Sequence, residues 1–467
     1  MTPGRLGTPA TEPARKDPKR AIALVLPAEF RRVASVAGCG ISTAGRGPRP
    51  GISSSRHKWR GKPLRRGSTD VSVTSAEFRK PPRKDTSGCC PDLSVPTRRA
   101  VHQHAFATAY ALHQAPGPTS LATELSTSPD ANGMPKGRNG TMDLQAFAAR
   151  LPKCELHAHL AGSVPDPVVR GWLGTDNPSY AFRDVTEFLS QYGRVEQLLD
   201  TPDRVHEALA AMVDAWAADH VVHAEVRVGQ VPLARIGARR LADALDQAAA
   251  DAIVQGVSLA WIYEFDGAAG LETAGHVVDA ALDDPPQALR AVGLSGDESG
   301  PERYAPQFRQ AASAGLALVP HAGTFPGTTH QIDVALHHGA VRIGHATSAA
   351  REPDTLRRLA DHQVTVEVSP TSEVLIGAVP GPRQHPLETF LAAGVPVALC
   401  ADDPALFRTT LTSEYLMAAE HCGQSAEALR TLARQAARAA LLDEPRRTRI
   451  LDQIDRFGAG ENSERAE

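Results

Sequence analysis

No run of eighteen apolar residues occurs in this chain of 467 residues, which excludes an ordinary membrane-spanning helix. The apolar stretch at 21–27 follows basic residues but is too short for the core of a signal peptide. Residues 33–39 only loosely imitate a cleavage site, so secretion is the weaker reading. Cysteine is scarce, with six residues and no CxxC pair, which argues against a disulfide framework and for free thiols in a reducing cytoplasm. There is no GxGxxG turn and no P-loop, so the common glycine cradles for nucleotide phosphates are missing.

Charge is unevenly spread. The net charge is −3, yet residues 1–141 hold 23 Lys and Arg against 9 Asp and Glu, while 142–467 hold 27 against 44. The front tract is rich in Pro, Arg, Gly, Ser and Thr and has no sustained periodicity. Such a segment buries too little apolar surface to offset its ordering entropy, and it reads as a disordered basic extension. A start codon placed too early accounts for it equally, since Met134 and Met142 stand just before the ordered pattern. Basic runs can neutralise phosphates, but most are simply solvated, so no nucleic-acid partner is expected.

From Met142 onward, apolar β-type runs alternate with helical patterns. Strands are expected at 153–160, 220–228, 258–265, 289–296, 316–321, 340–345, 364–369 and 395–401. Helical stretches fall between them, as at 238–254, 304–314, 353–361 and 386–393. Eight such units point to an α/β fold, a (β/α)8 TIM-type barrel over 142–467 behind the disordered extension. A doubly wound open sheet fits less well, because its phosphate-binding glycine turn is missing.

Function in such barrels sits at the C-terminal ends of the strands. His157 and His159, in CELHAHLAG, end the first strand, and their i, i+2 spacing turns both side chains to one face. His321 ends the fifth strand, His345 the sixth, and Asp402 and Asp403 the eighth. Three imidazoles and a carboxylate suit zinc with a position left open for water. Any one of these histidines alone reads better as a satisfied core residue, but their convergence on one rim argues for a site. Arg227, at the end of the second strand, faces the same rim; it could touch substrate, and a salt bridge to Glu225 or a neighbour fits at least as well. His337 and His338 sit at a helix end, where imidazoles are favoured. Cys400 reads as a packed strand residue rather than a nucleophile, and His102, His104 and His113 have no convergent partners.

At this point the motifs form a series. LPKCELHAHLAGS, VGLSGDE, PHAG, RIGHA, VSPTS, HPL and ADDPALFRTTLTSEY occur in the order and at the spacing of the adenosine deaminase family, which the chain resembles over 151–415. The resemblance implies one zinc ion per chain, held by His157, His159, His321 and Asp402. It implies that His345 orients and deprotonates the attacking water, that Asp403 contacts the substrate heterocycle, and that Gly296 binds the purine through its backbone. The activity implied is hydrolytic deamination of an adenosine-like or other aminated heterocycle in the cytoplasm, with ammonia released and a small molecule as the partner.

Three positions depart from the family pattern. Thr324 replaces the Glu that follows His-Ala-Gly and shuttles a proton to the ring nitrogen. Ala161 replaces an Asp that holds the ribose, and Glu373 replaces an Asn. Glu298 is retained but belongs to the fourth strand and is not assigned the shuttle. Unmodified adenosine is therefore expected to be a poor substrate, unless Glu298 or an ordered water takes over the shuttle. Amide or imine hydrolysis on the same barrel, or a catalytically weak metal-retaining binding protein, are the alternatives.

Overall fold

The computed structural model describes residues 143–175 and 182–463; the extension at 1–141 lies outside them. A helix at Leu144–Arg150, capped by the Asp143 carboxylate, leads into nine strands. These are β1 (Lys153–His159), β2 (Val221–Val228), β3 (Ser258–Asp266), β4 (Leu289–Ser295), β5 (Ala317–Leu318), β6 (His321–Ala322), β7 (Arg342–His345), β8 (Thr365–Val368) and β9 (Val397–Leu399). All are parallel, in the orders β1-β2-β3-β4-β5 and β6-β7-β8-β9.

β5 and β6 are two pieces of the single fifth strand expected from the pattern. Pro320 lies between them and has no N–H to give to a ladder. Hydrogen bonding nonetheless carries across the gap. The Val319 amide donates to Val292 O at 3.1 Å, and Pro320 O accepts from Gly344 N at 2.9 Å. The barrel closes where Ala158 pairs with Asp402 and the His159 amide donates to Asp402 O at 3.0 Å. Eight staves thus make a complete ring, as the sequence pattern requires.

The strands are buried on both faces, which is why they read as apolar runs rather than alternating ones. Outside, amphipathic helices cover them. Ala238–Val254 buries Leu241, Leu245, Ala248 and Ala252 along one stripe. The long excursion between β1 and β2 was not resolved by the sequence pattern. It carries helices Asp166–Leu173, Val185–Leu198 and Pro202–Ala218. The second of these crosses the barrel mouth, where Phe188 stacks on Phe407 at 4.8 Å and the Tyr192 ring meets His159 edge-on at 5.9 Å.

At the opposite end, helix Ala426–Ala439 packs against β9 and β1, behind the closing seam. Its last carbonyl, Ala439 O, accepts from Arg342 at 2.9 Å, and Leu441 N donates to Glu225 at 2.5 Å. Among the described residues no helix is long and apolar enough to cross a membrane.

Candidate metal centre

β1 delivers both of its histidines into the barrel. His157 Nε2 lies 2.9 Å and His159 Nε2 3.2 Å from His321 Nε2 at the start of β6. Asp402 Oδ1 lies 3.5 Å from His157 Nε2 and 3.4 Å from His159 Nε2. The four ligand atoms all fall within 4.8 Å of one another, and all four residues are buried. Tetrahedral donors around a divalent ion at ordinary bonding length sit about 3.3 Å apart, so these spacings fit a common ion.

The far side of each ring is also satisfied. His157 Nδ1 meets Glu367 Oε2 at 2.6 Å, and His159 Nδ1 meets Glu264 Oε2 at 3.3 Å. His321 Nδ1 lies 2.9 Å from Leu294 O and 3.3 Å from Glu264 Oε1. Acceptors on every Nδ1 place the proton there and leave each Nε2 lone pair aimed at the shared point. Burial lowers both β1 imidazoles, His157 well below its usual value and His159 to about 4, although Glu264 and Asp402 oppose the shift at His159. Neutral imidazoles are what a cation requires.

Asp402 and His345 both hold left-handed backbone, with φ of 63° and 62°. Non-glycine residues rarely adopt it, and such strain gathers at functional sites. Ser372 Oγ donates to Asp402 Oδ2 at 2.6 Å. His345 Nε2 stands 3.9 Å from the same oxygen. Burial lowers His345, while the Glu373 carboxylate at 3.2 Å and the charges of Asp402 and Glu298 raise it; a cation held by the four ligands would oppose that rise and favour the neutral imidazole. Glu373 also binds His385 Nε2 at 2.6 Å. The departure at 373 thus puts a carboxylate behind His345 and ties it to a second buried imidazole.

Asp403 is buried, and its Oδ1 has no hydrogen-bond partner among the described residues. Burial, then the adjacent Asp402, pushes its carboxyl well above the usual range. Neutral, it offers a donor to a ring acceptor. Gly162 makes room for it, since a Cβ there would meet Asp403 Oδ1 at 1.6 Å. Gly296 takes φ of 68° at the β4 end, and a Cβ there would meet Asp266 Oδ1 at 2.3 Å. Only glycine fits that turn.

Of the two readings of Arg227, the salt bridge is the one observed, to neighbours other than Glu225, and the side chain does not line the mouth for substrate. It is fully buried and pairs with Glu264 at 2.5 Å and with Glu367. Glu225 instead pairs with Arg342 at 2.6 Å. Residues 225 and 227 both point inward but occupy successive layers of the barrel, so each meets partners on other strands. Cys400 is buried, and burial pushes its thiol well above the usual range, which bars a nucleophilic role. Glu264 and Glu367 were not singled out in the sequence, and Ser372 and His385 entered only as the ends of the motifs VSPTS and HPL. For the two glutamates the signal was a charged residue inside an otherwise apolar strand, in WIYEF and TVEV.

The family model described as adenosine deaminase matches residues 173–457. The chain is 36% identical over 336 residues to an aminodeoxyfutalosine deaminase of Streptomyces coelicolor, covering 68% of this chain and 87% of the relative. The crystal structure of an adenine deaminase from Arthrobacter aurescens aligns with a TM-score of 0.62 at 26% identity, over 66% of this chain and 99% of that one. An amidohydrolase from Burkhoderia ambifaria, crystallised with bound Zn, shares the fold with a TM-score of 0.63 at 21% identity, over 70% and 97%.

Proposed function

This chain belongs to the adenosine deaminase family, and from that membership we propose that His157, His159, His321 and Asp402 hold one zinc ion for the hydrolytic deamination of a 6-aminopurine. The carrying observation is the convergence of three Nε2 atoms and one carboxylate oxygen within 4.8 Å, with each Nδ1 facing an acceptor. Nitrogen-rich tetrahedral donor sets favour zinc over magnesium or calcium. Zinc bound there supplies a water acidified towards neutral pH.

The remaining work falls to the chain. His345, beside Asp402 and backed by Glu373, takes a proton from the attacking water and returns it to the leaving amine. Asp403, with a free oxygen and a carboxyl raised by burial, contacts a ring nitrogen and orients the heterocycle. Gly296, in a turn that admits no side chain, lets the purine edge approach the backbone. The helix Val185–Leu198 shields the mouth from bulk water.

Relatives named for adenine and for aminodeoxyfutalosine make those two compounds the first to test, ahead of adenosine. Ala161 supports that order, because no carboxylate stands there to hold a free ribose. A cytoplasmic setting suits such a metabolic enzyme. The test is ammonia release by zinc-loaded protein from adenine, aminodeoxyfutalosine and adenosine, with elemental analysis alongside. We expect about one zinc per chain, turnover of at least one compound, and loss of both metal and turnover in His157→Ala and Asp402→Ala. Full metal occupancy in either variant removes that residue from the ligand set, and no ammonia from any of the three removes the reaction.

A further inference from the structure

The turn after β4 and the segment after β6 meet through one pair of side chains. Two hydrogen bonds join Thr324 to Glu298: the backbone amide donates to Glu298 Oε2 at 3.2 Å, and the hydroxyl oxygen meets Glu298 Oε1, donating to the carboxylate and accepting from the carboxylic acid. Thr324 is buried, and its own carbonyl is held by Thr347 Oγ1 at 2.6 Å, so the hydroxyl has little freedom. It follows His321 of the metal cluster by three residues. Thr347, which holds that carbonyl, lies two residues beyond His345. The pair therefore stands at the rim where the water, the ring and the leaving amine must meet.

A threonine hydroxyl alone is far too weak an acid to protonate a ring nitrogen near neutral pH. Bonded to a carboxyl group it becomes a relay, receiving one proton on its oxygen while passing its own hydrogen on. We propose that Glu298, acting through Thr324, supplies the proton that the ring nitrogen takes up during deamination. This rests on the deaminase reading above. It takes up, with a route through Thr324, the alternative in which Glu298 stands in for the missing shuttle.

With Glu298 starting as the carboxylic acid, its hydrogen directed at the threonine oxygen, the protons balance. The attacking water gives one proton to His345 as its oxygen bonds to the amino-bearing carbon. The electron pair displaced from the ring C=N bond settles on the adjacent nitrogen, which takes the hydroxyl hydrogen of Thr324 while Glu298 reprotonates the threonine. His345 then protonates the amine, the C–N bond breaks and ammonia leaves. The added oxygen becomes the product carbonyl, and its second proton restores Glu298 through Thr324. The product keeps the ring N–H.

The test uses the full-length, zinc-loaded protein and ammonia release from adenine, aminodeoxyfutalosine and adenosine. Glu298→Gln and Thr324→Val should each lower kcat on the best of these by about 10²-fold or more, with KM changed by less than about threefold. Thr324→Ser should keep most of kcat. The double variant should be about as slow as either single one, because the two residues act as a unit. Thr324→Glu placed in the Glu298→Gln background should regain about tenfold or more by restoring a carboxyl at the rim. Zinc content and melting temperature close to the parent's rule out a folding defect. Should Glu298→Gln not fold, the contrast between Thr324→Val and Thr324→Ser decides. A parent that releases ammonia while Glu298→Gln stays within about threefold of it in kcat overturns the relay alone. Losses that multiply in the double variant do the same. A parent that releases no ammonia overturns the deaminase reading and the relay with it.

Discussion

Asp402 is steadied from outside the cluster by one hydroxyl, that of Ser372, at 2.6 Å. Partners of this kind set the direction in which a ligand's lone pair points, and their loss typically weakens metal binding about 10- to 100-fold. Ser372→Ala should therefore weaken zinc affinity within that range without unfolding the protein, as measured by competition with a chelator. Unchanged affinity would mean that the strained backbone at 402 orients the carboxylate by itself. A second expectation concerns His385, which contacts none of the four ligands. Burial opposes its charge, but Cys422 and Glu373 together raise its imidazole to about 9. A folded value above the unfolded one near 6.5 contributes stability that is complete below about pH 6.5 and lost as pH rises through about 9. Thermal melts between pH 6 and 10 should show a decline across that window that is smaller in His385→Asn. An equal decline in both proteins refutes the assignment.

At the scale of the strands, the barrel interior is an ion lattice rather than an oil drop. Arg227 bridges Glu264 and Glu367, and Arg342 bridges Glu225 and Glu367. The same glutamates orient His157, His159 and His321, so the lattice below carries the geometry of the centre above. Arg227→Met would leave two buried carboxylates short of a partner, a change that costs about 3–5 kcal/mol. Urea denaturation should register that loss, with zinc affinity falling alongside; a cost under about 1 kcal/mol would mean the lattice reorganises around Arg342. The strands themselves were readable because burial on both faces leaves unbroken apolar runs. The break in the fifth strand at Pro320 could be anticipated in kind, whereas its rescue by Val319 and the Pro320 carbonyl depends on neighbouring strands.

At the scale of the molecule, the ring is closed at Ala158 and Asp402, backed at its seam by Ala426–Ala439, and crossed at its mouth by Val185–Leu198. Its hydrophobic core begins at Phe147 and runs to Ile454. Residues 142–467 expressed alone should fold and keep the activity of the whole chain, because a core of this extent is self-sufficient. Comparable melting temperature and kcat/KM for the two proteins are the expected result. An insoluble fragment, or one that melts well below the full chain, places a structural role in residues 1–141.

By itself the sequence determined the eight staves and the rim on which the chemistry-bearing residues fall, while the choice of His157, His159, His321 and Asp402 among them rested on the family resemblance. The rim follows from local rules: a two-residue period turns His157 and His159 to one face, and a strand end places His321, His345 and Asp402 at the same height. Tertiary structure alone decided which partners those residues have. Arg227 passes over its neighbour Glu225 for carboxylates on β3 and β8, Glu373 joins His345 to His385, and Glu298 crosses from one strand end to reach Thr324 on another. Pairings of that kind depend on strand tilt and barrel layering, which act between segments dozens of residues apart and leave no period in the chain.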